Sequence, residues 1–142
     1  MDKNLVSRVL GLDYGERRIG LALSDPLRII AKPLICIDRK KTADYISQIS
    51  KIVSEKNITS IVVGLPLTLK GHYSKQTEIV LAFIDRLKTD FQIPILAIDE
   101  RLSSVSAEKS LQAQAVKTRY EKGRIDETAA AIFLQEYLDS QS

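Results

Sequence analysis

The stretch Arg8-Val9-Leu10-Gly11-Leu12-Asp13-Tyr14-Gly15 decides how this chain is read. Val9, Leu10 and Leu12 carry strand chemistry, and Gly15 supplies the permissive backbone of a tight turn. Arg18-Ile19-Gly20-Leu21-Ala22-Leu23-Ser24-Asp25 reads as a second strand, so the two form a hairpin. A carboxylate at the mouth of a buried strand is costly to desolvate without a partner. Asp13 therefore admits two readings. It caps a turn, as Asp often does, or it anchors a metal-dependent site to which other elements bring partners.

Working outward, Asp25-Pro26 marks a turn, and Ala31 to Asp38 reads as a third strand whose Pro33 suits a sheet edge. The basic turn Arg39-Lys40-Lys41 follows. Thr42 is placed to cap a helix with Tyr45, Ile46, Ile49, Ile52 and Val53 on one face, and Asn57 is its stop. Ser60 to Pro66 is a short continuous apolar run, the pattern of a buried parallel strand. After a loop from Leu67 to Ser74, a second amphipathic helix carries Ile79, Val80, Phe83, Ile84 and Leu87. Pro94 to Glu100 reads as a fifth strand ending in acids, and a further helix is predicted from about Ser103 or Ser104. Lys117 to Arg124 reads as a basic loop, and the last helix as running from about Asp126 to Leu138.

Strands joined by helices must be parallel. If the first, fourth and fifth strands lie side by side, their C-terminal ends share one rim carrying Asp13, Gly64 and Glu100, and open α/β sheets bind ligands there. Asp126 adds a third acid, in line with Ala130, Phe133 and Tyr137 on its helix. A first-turn acid also favours the helix dipole, which would explain Asp126 without chemistry. Three carboxylates are hard to hold together without a cation, and Mg²⁺ or Mn²⁺ suits an all-oxygen site. With one His and one Cys in the chain, a structural zinc site is excluded. Paired metals between carboxylates are the usual apparatus for phosphodiester hydrolysis.

Around the acids stand candidate phosphate ligands: Arg17 and Arg18 at the hairpin turn and Arg101 after Glu100. Lys117, Arg119, Lys122 and Arg124 interleave Tyr120, a mix that can hold a backbone and stack a base. Taken singly, each is also an ordinary solvated charge. Gly64 has no side chain, so a polymer backbone could approach there, or Gly64-Leu65-Pro66 is simply a tight strand exit. No Walker phosphate loop, dinucleotide fingerprint or nucleophile elbow occurs.

The chain has 142 residues, 44% hydrophobic and 27% charged, with a formal net charge of +3. That predicts one domain spanning residues 1–142 and permits a polyanionic partner without demanding one. The single Cys36 allows no intrachain disulfide and fits a reducing compartment. No apolar run approaches the roughly 18 residues of a membrane span, so a cytoplasmic protein with no membrane partner is expected.

Gly11-Leu12-Asp13-Tyr14-Gly15, the Arg18 to Asp25 strand, Val63-Gly64-Leu65-Pro66, Asp99-Glu100-Arg101-Leu102-Ser103-Ser104 and Ile125-Asp126-Glu127-Thr128-Ala129-Ala130 occur in this order. Together they resemble the YqgF (RuvX) family, relatives of the RuvC Holliday-junction resolvases in the ribonuclease H-like superfamily. The resemblance covers nearly the whole chain. It implies an α/β, ribonuclease H-like fold: a five-stranded mixed sheet in the order 3-2-1-4-5, strands 1–3 antiparallel, flanked by helices. It also implies a metal-dependent nuclease, assigned mainly to 5′-end processing of pre-16S rRNA, with Holliday-junction or branched-DNA resolution as the alternative. A non-catalytic RNA-binding factor in ribosome assembly or transcription is a third possibility. Catalytic and metal-binding carboxylates fall by motif match on Asp13, Glu100 and Asp126, with Gly64 and Arg101 at the substrate rim. Two positions depart from the family pattern. Ser103-Ser104 replaces a usual Thr-Thr, and Gly64-Leu65-Pro66 stands where RuvC-type resolvases carry a fourth-strand acid. The protein is expected as a monomer or homodimer acting on nucleic acid.

Overall fold

The computed structural model describes residues 7–100 and 119–141, with the backbone alone for 119–127. Within these, β1 (Arg8–Tyr14), β2 (Arg18–Ser24), β3 (Ala31–Asp38), β4 (Ile58–Leu65) and β5 (Ile95–Asp99) form one sheet ordered β3-β2-β1-β4-β5. The β1–β2 and β2–β3 pairs are antiparallel, and β1–β4 and β4–β5 are parallel. This is the expected mixed sheet. It puts the C-terminal ends of β1, β3, β4 and β5 and the start of β2 on one rim.

The helices are α1 (Tyr45–Glu55), α2 (Lys75–Asp90) and α3 (Arg119–Ser140). Strand alternation sorts the sheet's side chains between two cores. Leu10, Leu12 and Tyr14 of β1 join Ile46 and Ile49 of α1 and Val80, Phe83, Ile84 and Leu87 of α2. On the other face, Val9, Ala22 and Val62 meet Ala129, Ala130, Phe133, Leu134 and Leu138 of α3. A fully buried Leu or Phe contributes about 1.5–3 kcal/mol, so α3 is held mainly by this stripe. A Cβ on Gly11 would lie 3.1 Å from the Leu134 Cβ and 3.4 Å from the Ala130 carbonyl oxygen. Glycine there lets the helix rest directly on the backbone of β1.

Pro33 lies on an edge strand, opposite Ala22, where the β2–β3 register shifts. Asn57 follows the α1 C-cap with φ 54°, the left-handed stop expected of it.

Three expectations are corrected. The α1 N-cap is Asp44, whose side chain accepts from Ser47 N at 3.2 Å. Thr42 is occupied in the preceding turn, its N–H bonded to Asp38 O at 2.9 Å. The last helix begins at Arg119, so Arg119, Tyr120, Lys122 and Arg124 lie on helix and not in a loop. Lys, Arg and Glu are good helix formers, and a dense charge pattern without apolar spacing hides that. Finally, Asp126 lies about two turns inside the helix and not in its first turn, while Ala130 and Phe133 are buried as expected and Tyr137 packs partly against them. The helix predicted from Ser103 or Ser104 lies outside the described residues. No helix among the described residues is long and apolar enough to cross a membrane.

Candidate active site at the sheet rim

Asp13 closes the α3-facing side of β1 and is 4% exposed. It is buried because β1 is central, and its neighbours leave it room. Gly20 is its partner on β2. On the other side, Leu12 pairs with Val63, so the parallel register continues with Gly64 beside Asp13.

Glu100 follows directly on β5, and Gly64 pairs with Ile98 two residues before it. The Glu100 side chain folds back over Gly64. A Cβ built there would sit 3.0 Å from both Cγ and Cδ of Glu100 and collide with Oε1. Strand ends two apart in a sheet are separated by roughly 10 Å. The missing side chain at Gly64 is what allows an acid from β5 to lean toward an acid on β1. The space foreseen for a polymer backbone at Gly64 is instead occupied by a carboxylate.

Asp126 lies in α3 one turn ahead of Ala130, which packs on Gly11. The Asp126 side chain lies outside the described residues, as do Arg101, Lys117 and the side chains of Arg119, Tyr120, Lys122 and Arg124. Among the described residues no three His, Cys, Asp or Glu side chains gather as a metal cluster. The donors on this rim, Asp13 and Glu100, are hard carboxylate oxygens, a chemistry that fits a cation such as Mg²⁺ or Mn²⁺.

Arg17 and Arg18 both lie on this rim. Arg18 opens β2 opposite Asp38, and Arg17 Nη2 is 3.4 Å from Asp38 Oδ2. Desolvation pushes the Asp38 carboxyl up, but the Lys40 and Lys41 amides and Arg17 outweigh it, and Asp38 is held below its usual range.

Sequence reasoning missed Arg39. Its Nη1 donates to Gly15 O at 3.0 Å and to Glu16 O at 2.8 Å, clamping the turn that follows Asp13. Its guanidinium lies 4.4 Å from the Tyr14 ring centroid, and Tyr14 stacks on Phe83 at 3.9 Å on its other side. Burial, then the Tyr45 hydroxyl, pushes the Tyr14 phenol up to about 12, against the opposing Arg39 charge. The only signal was a basic turn at one strand end and a Tyr after the acid at another. Behind the rim, Thr77 Oγ1 donates to Pro66 O and Ser74 closes a capping box, fixing the exit of β4.

The fold class is ribonuclease H-like, a mixed β3-β2-β1-β4-β5 sheet flanked by helices. The fold matches Thermus thermophilus RuvC in complex with Holliday junction substrate, with TM-score 0.58 at 13% identity over 95% of each chain. It also matches the fowlpox virus resolvase in its Holliday junction DNA complex, with TM-score 0.52 at 13% identity over 94% of this chain and 98% of that one.

Within that class the chain belongs to the RuvX family, described as Holliday junction resolvase, which it matches over residues 7–140. A relative from Roseiflexus sp. is 44% identical over 94% of this chain and 95% of its own length. Another from Dictyoglomus turgidum is 42% identical over 95% and 96%. Both are provisionally named pre-16S rRNA nuclease.

Proposed function

We propose that this chain is a divalent-metal-dependent nuclease that hydrolyses phosphodiester bonds during cytoplasmic 5′-end processing of pre-16S rRNA. The observation that carries this reading is the Glu100 carboxylate laid over Gly64, on the strand beside buried Asp13. Relatives that share more than two fifths of their residues with it are provisionally named for that substrate.

Asp13, Glu100 and Asp126 would hold Mg²⁺ or Mn²⁺, which when bound supplies Lewis acidity toward a phosphoryl oxygen. The chain's own residues orient the substrate. Burial restricts Asp13 to a fixed pose, so its oxygens need little reorganisation when the substrate arrives. Arg18 lies on the α3-facing side of β2, since Ile19 packs into the opposite core. There its charge can offset the phosphate's repulsion from the acids. Arg17 is steadied by Asp38 at the same turn. Arg101, Lys117, Arg119, Lys122 and Arg124 would track the backbone, with Tyr120 available to stack a base.

Branched-DNA resolution is the second reading, favoured by the family's description. The test assays Mn²⁺-dependent cleavage of a precursor 16S rRNA 5′ end and of a four-way DNA junction, with Asp13→Asn in parallel. Cleavage of RNA alone, abolished in Asp13→Asn with binding kept, is the expected result. Preferred junction cutting would transfer the case to the second reading. RNA binding without cleavage by the wild type would leave a non-catalytic assembly factor.

A further inference from the structure

The corner where β2 and β3 reach the rim concentrates positive charge that neither the acids nor the hairpin explains. Residues 15–18 and 38–41 are tied together by Arg39 N donating to Arg17 O at 2.8 Å and by the Arg18–Asp38 register. These eight positions hold five cations, Arg17, Arg18, Arg39, Lys40 and Lys41, against the two acids Glu16 and Asp38. That excess equals the formal net charge of the whole chain, +3.

The turn is locked without using two of those cations. Asp38 Oδ1 accepts from Lys40 N at 2.9 Å and Lys41 N at 3.4 Å, and its Oδ2 accepts from Arg17 Nε and Nη2. Arg39 turns inward onto Tyr14 and the Gly15 and Glu16 carbonyls. The backbone geometry of the turn therefore rests on Asp38 and Arg39, while the Lys40 and Lys41 side chains are exposed. Two like charges held side by side on a fixed turn cost repulsion and yield no internal contact that the turn needs. An extended anion repays that arrangement.

We propose that Lys40 and Lys41 form a track for the phosphates of the nucleic-acid strand flanking the one being cut. This rests on the nuclease reading of the acids and extends it to a second part of the rim. β3 lies two strands from β1 and the turn lies past its end, so the track stands more than roughly 10 Å from Asp13, beyond the scissile phosphate itself. The recognition is of backbone and not of bases. The aromatic rings at this corner, Tyr14 and Tyr45, are taken up in the stack with Phe83 and Arg39.

The test measures binding by fluorescence anisotropy in EDTA, across a KCl series, using a labelled single-stranded 20-mer oligoribonucleotide and a tetramer. Each phosphate contact on a single strand contributes about 0.7 to the slope of log K against log[salt]. For Lys40→Gln/Lys41→Gln the 20-mer slope is expected to fall by about 1.4, with binding at 0.1 M KCl weaker on the order of tenfold. Tetramer binding should be unchanged. Lys88→Gln is the control: Lys88 is exposed in the last turn of α2, at the opposite end of the sheet. A slope equal to that of the wild type, or an equal loss in Lys88→Gln, overturns the track. If the slope falls but the wild type cuts neither RNA nor DNA, the track stands and the nuclease reading fails. If cutting is normal and the slope is unmoved, the track alone fails.

Discussion

Gly64→Ala isolates the central feature of the site. The added Cβ would lie 3.0 Å from Cγ and Cδ of Glu100 and closer still to Oε1, where ordinary carbon contacts begin near 3.4 Å. Something must move, and the clash is with the Glu100 side chain and not with backbone. Alanine in a strand interior gains roughly 0.5–1 kcal/mol over glycine in backbone entropy. Mild overpacking costs about 1 kcal/mol, the low end of its range, where the clash is with a side chain and not with backbone. The two nearly cancel, so unfolding free energy should change by less than about 1 kcal/mol. Chemistry has no such compensation. Displacing a catalytic oxygen by about 1 Å is enough to cost on the order of 100-fold in rate. The assays are urea unfolding, Mn²⁺ titration by calorimetry and cleavage of the precursor rRNA 5′ end. Glu100→Gln alone and the double variant complete a cycle, which should be strongly non-additive because both changes remove one carboxylate from one place. A Gly64→Ala protein with near-wild-type metal affinity and cleavage would refute the argument. So would a loss of stability large enough to account for lost activity.

Two further outcomes follow from the Arg39 stack. Arg39→Ala removes two charge-assisted hydrogen bonds and a cation–π contact, and should lower urea-unfolding stability by about 2–3 kcal/mol. Arg39→Lys should recover only part of this, since an ammonium lacks the planar fork; an unchanged midpoint in both variants would contradict the clamp. The Tyr14 phenol is raised from 10.0 to about 12, so its neutral form is favoured in the folded state. Its contribution to stability is complete below pH 10 and is lost as pH rises toward 12. Alkaline absorbance titration of the folded protein should show a late tyrosinate component that is missing in Tyr14→Phe.

Much of the fold was legible because its signals are local. The apolar run of β1 ending in Asp13, the unbroken run of β4 and the Pro33 edge strand each follow from residues within one element. Two of the three acids could be placed on one rim by strand order alone. Segments that lack a single dominant local signal were misread. Two residues of capping type, Thr42 and Asp44, precede one helix start, and it is Asp44 whose side chain accepts from the Ser47 amide. The charged residues from Arg119 carry no apolar spacing, so their helical backbone had no signature.

By itself, then, the sequence determined the alternation of strands and helices, the family, and which acids stand at strand ends, because periodicity and turn chemistry act between near neighbours. Only the tertiary structure decided that Glu100 fills the space above Gly64 and that Arg39 reaches back to clamp Gly15 and Glu16 against Tyr14. These contacts join residues far apart in the chain. Their geometry depends on strand register and side-chain reach, which no local pattern encodes.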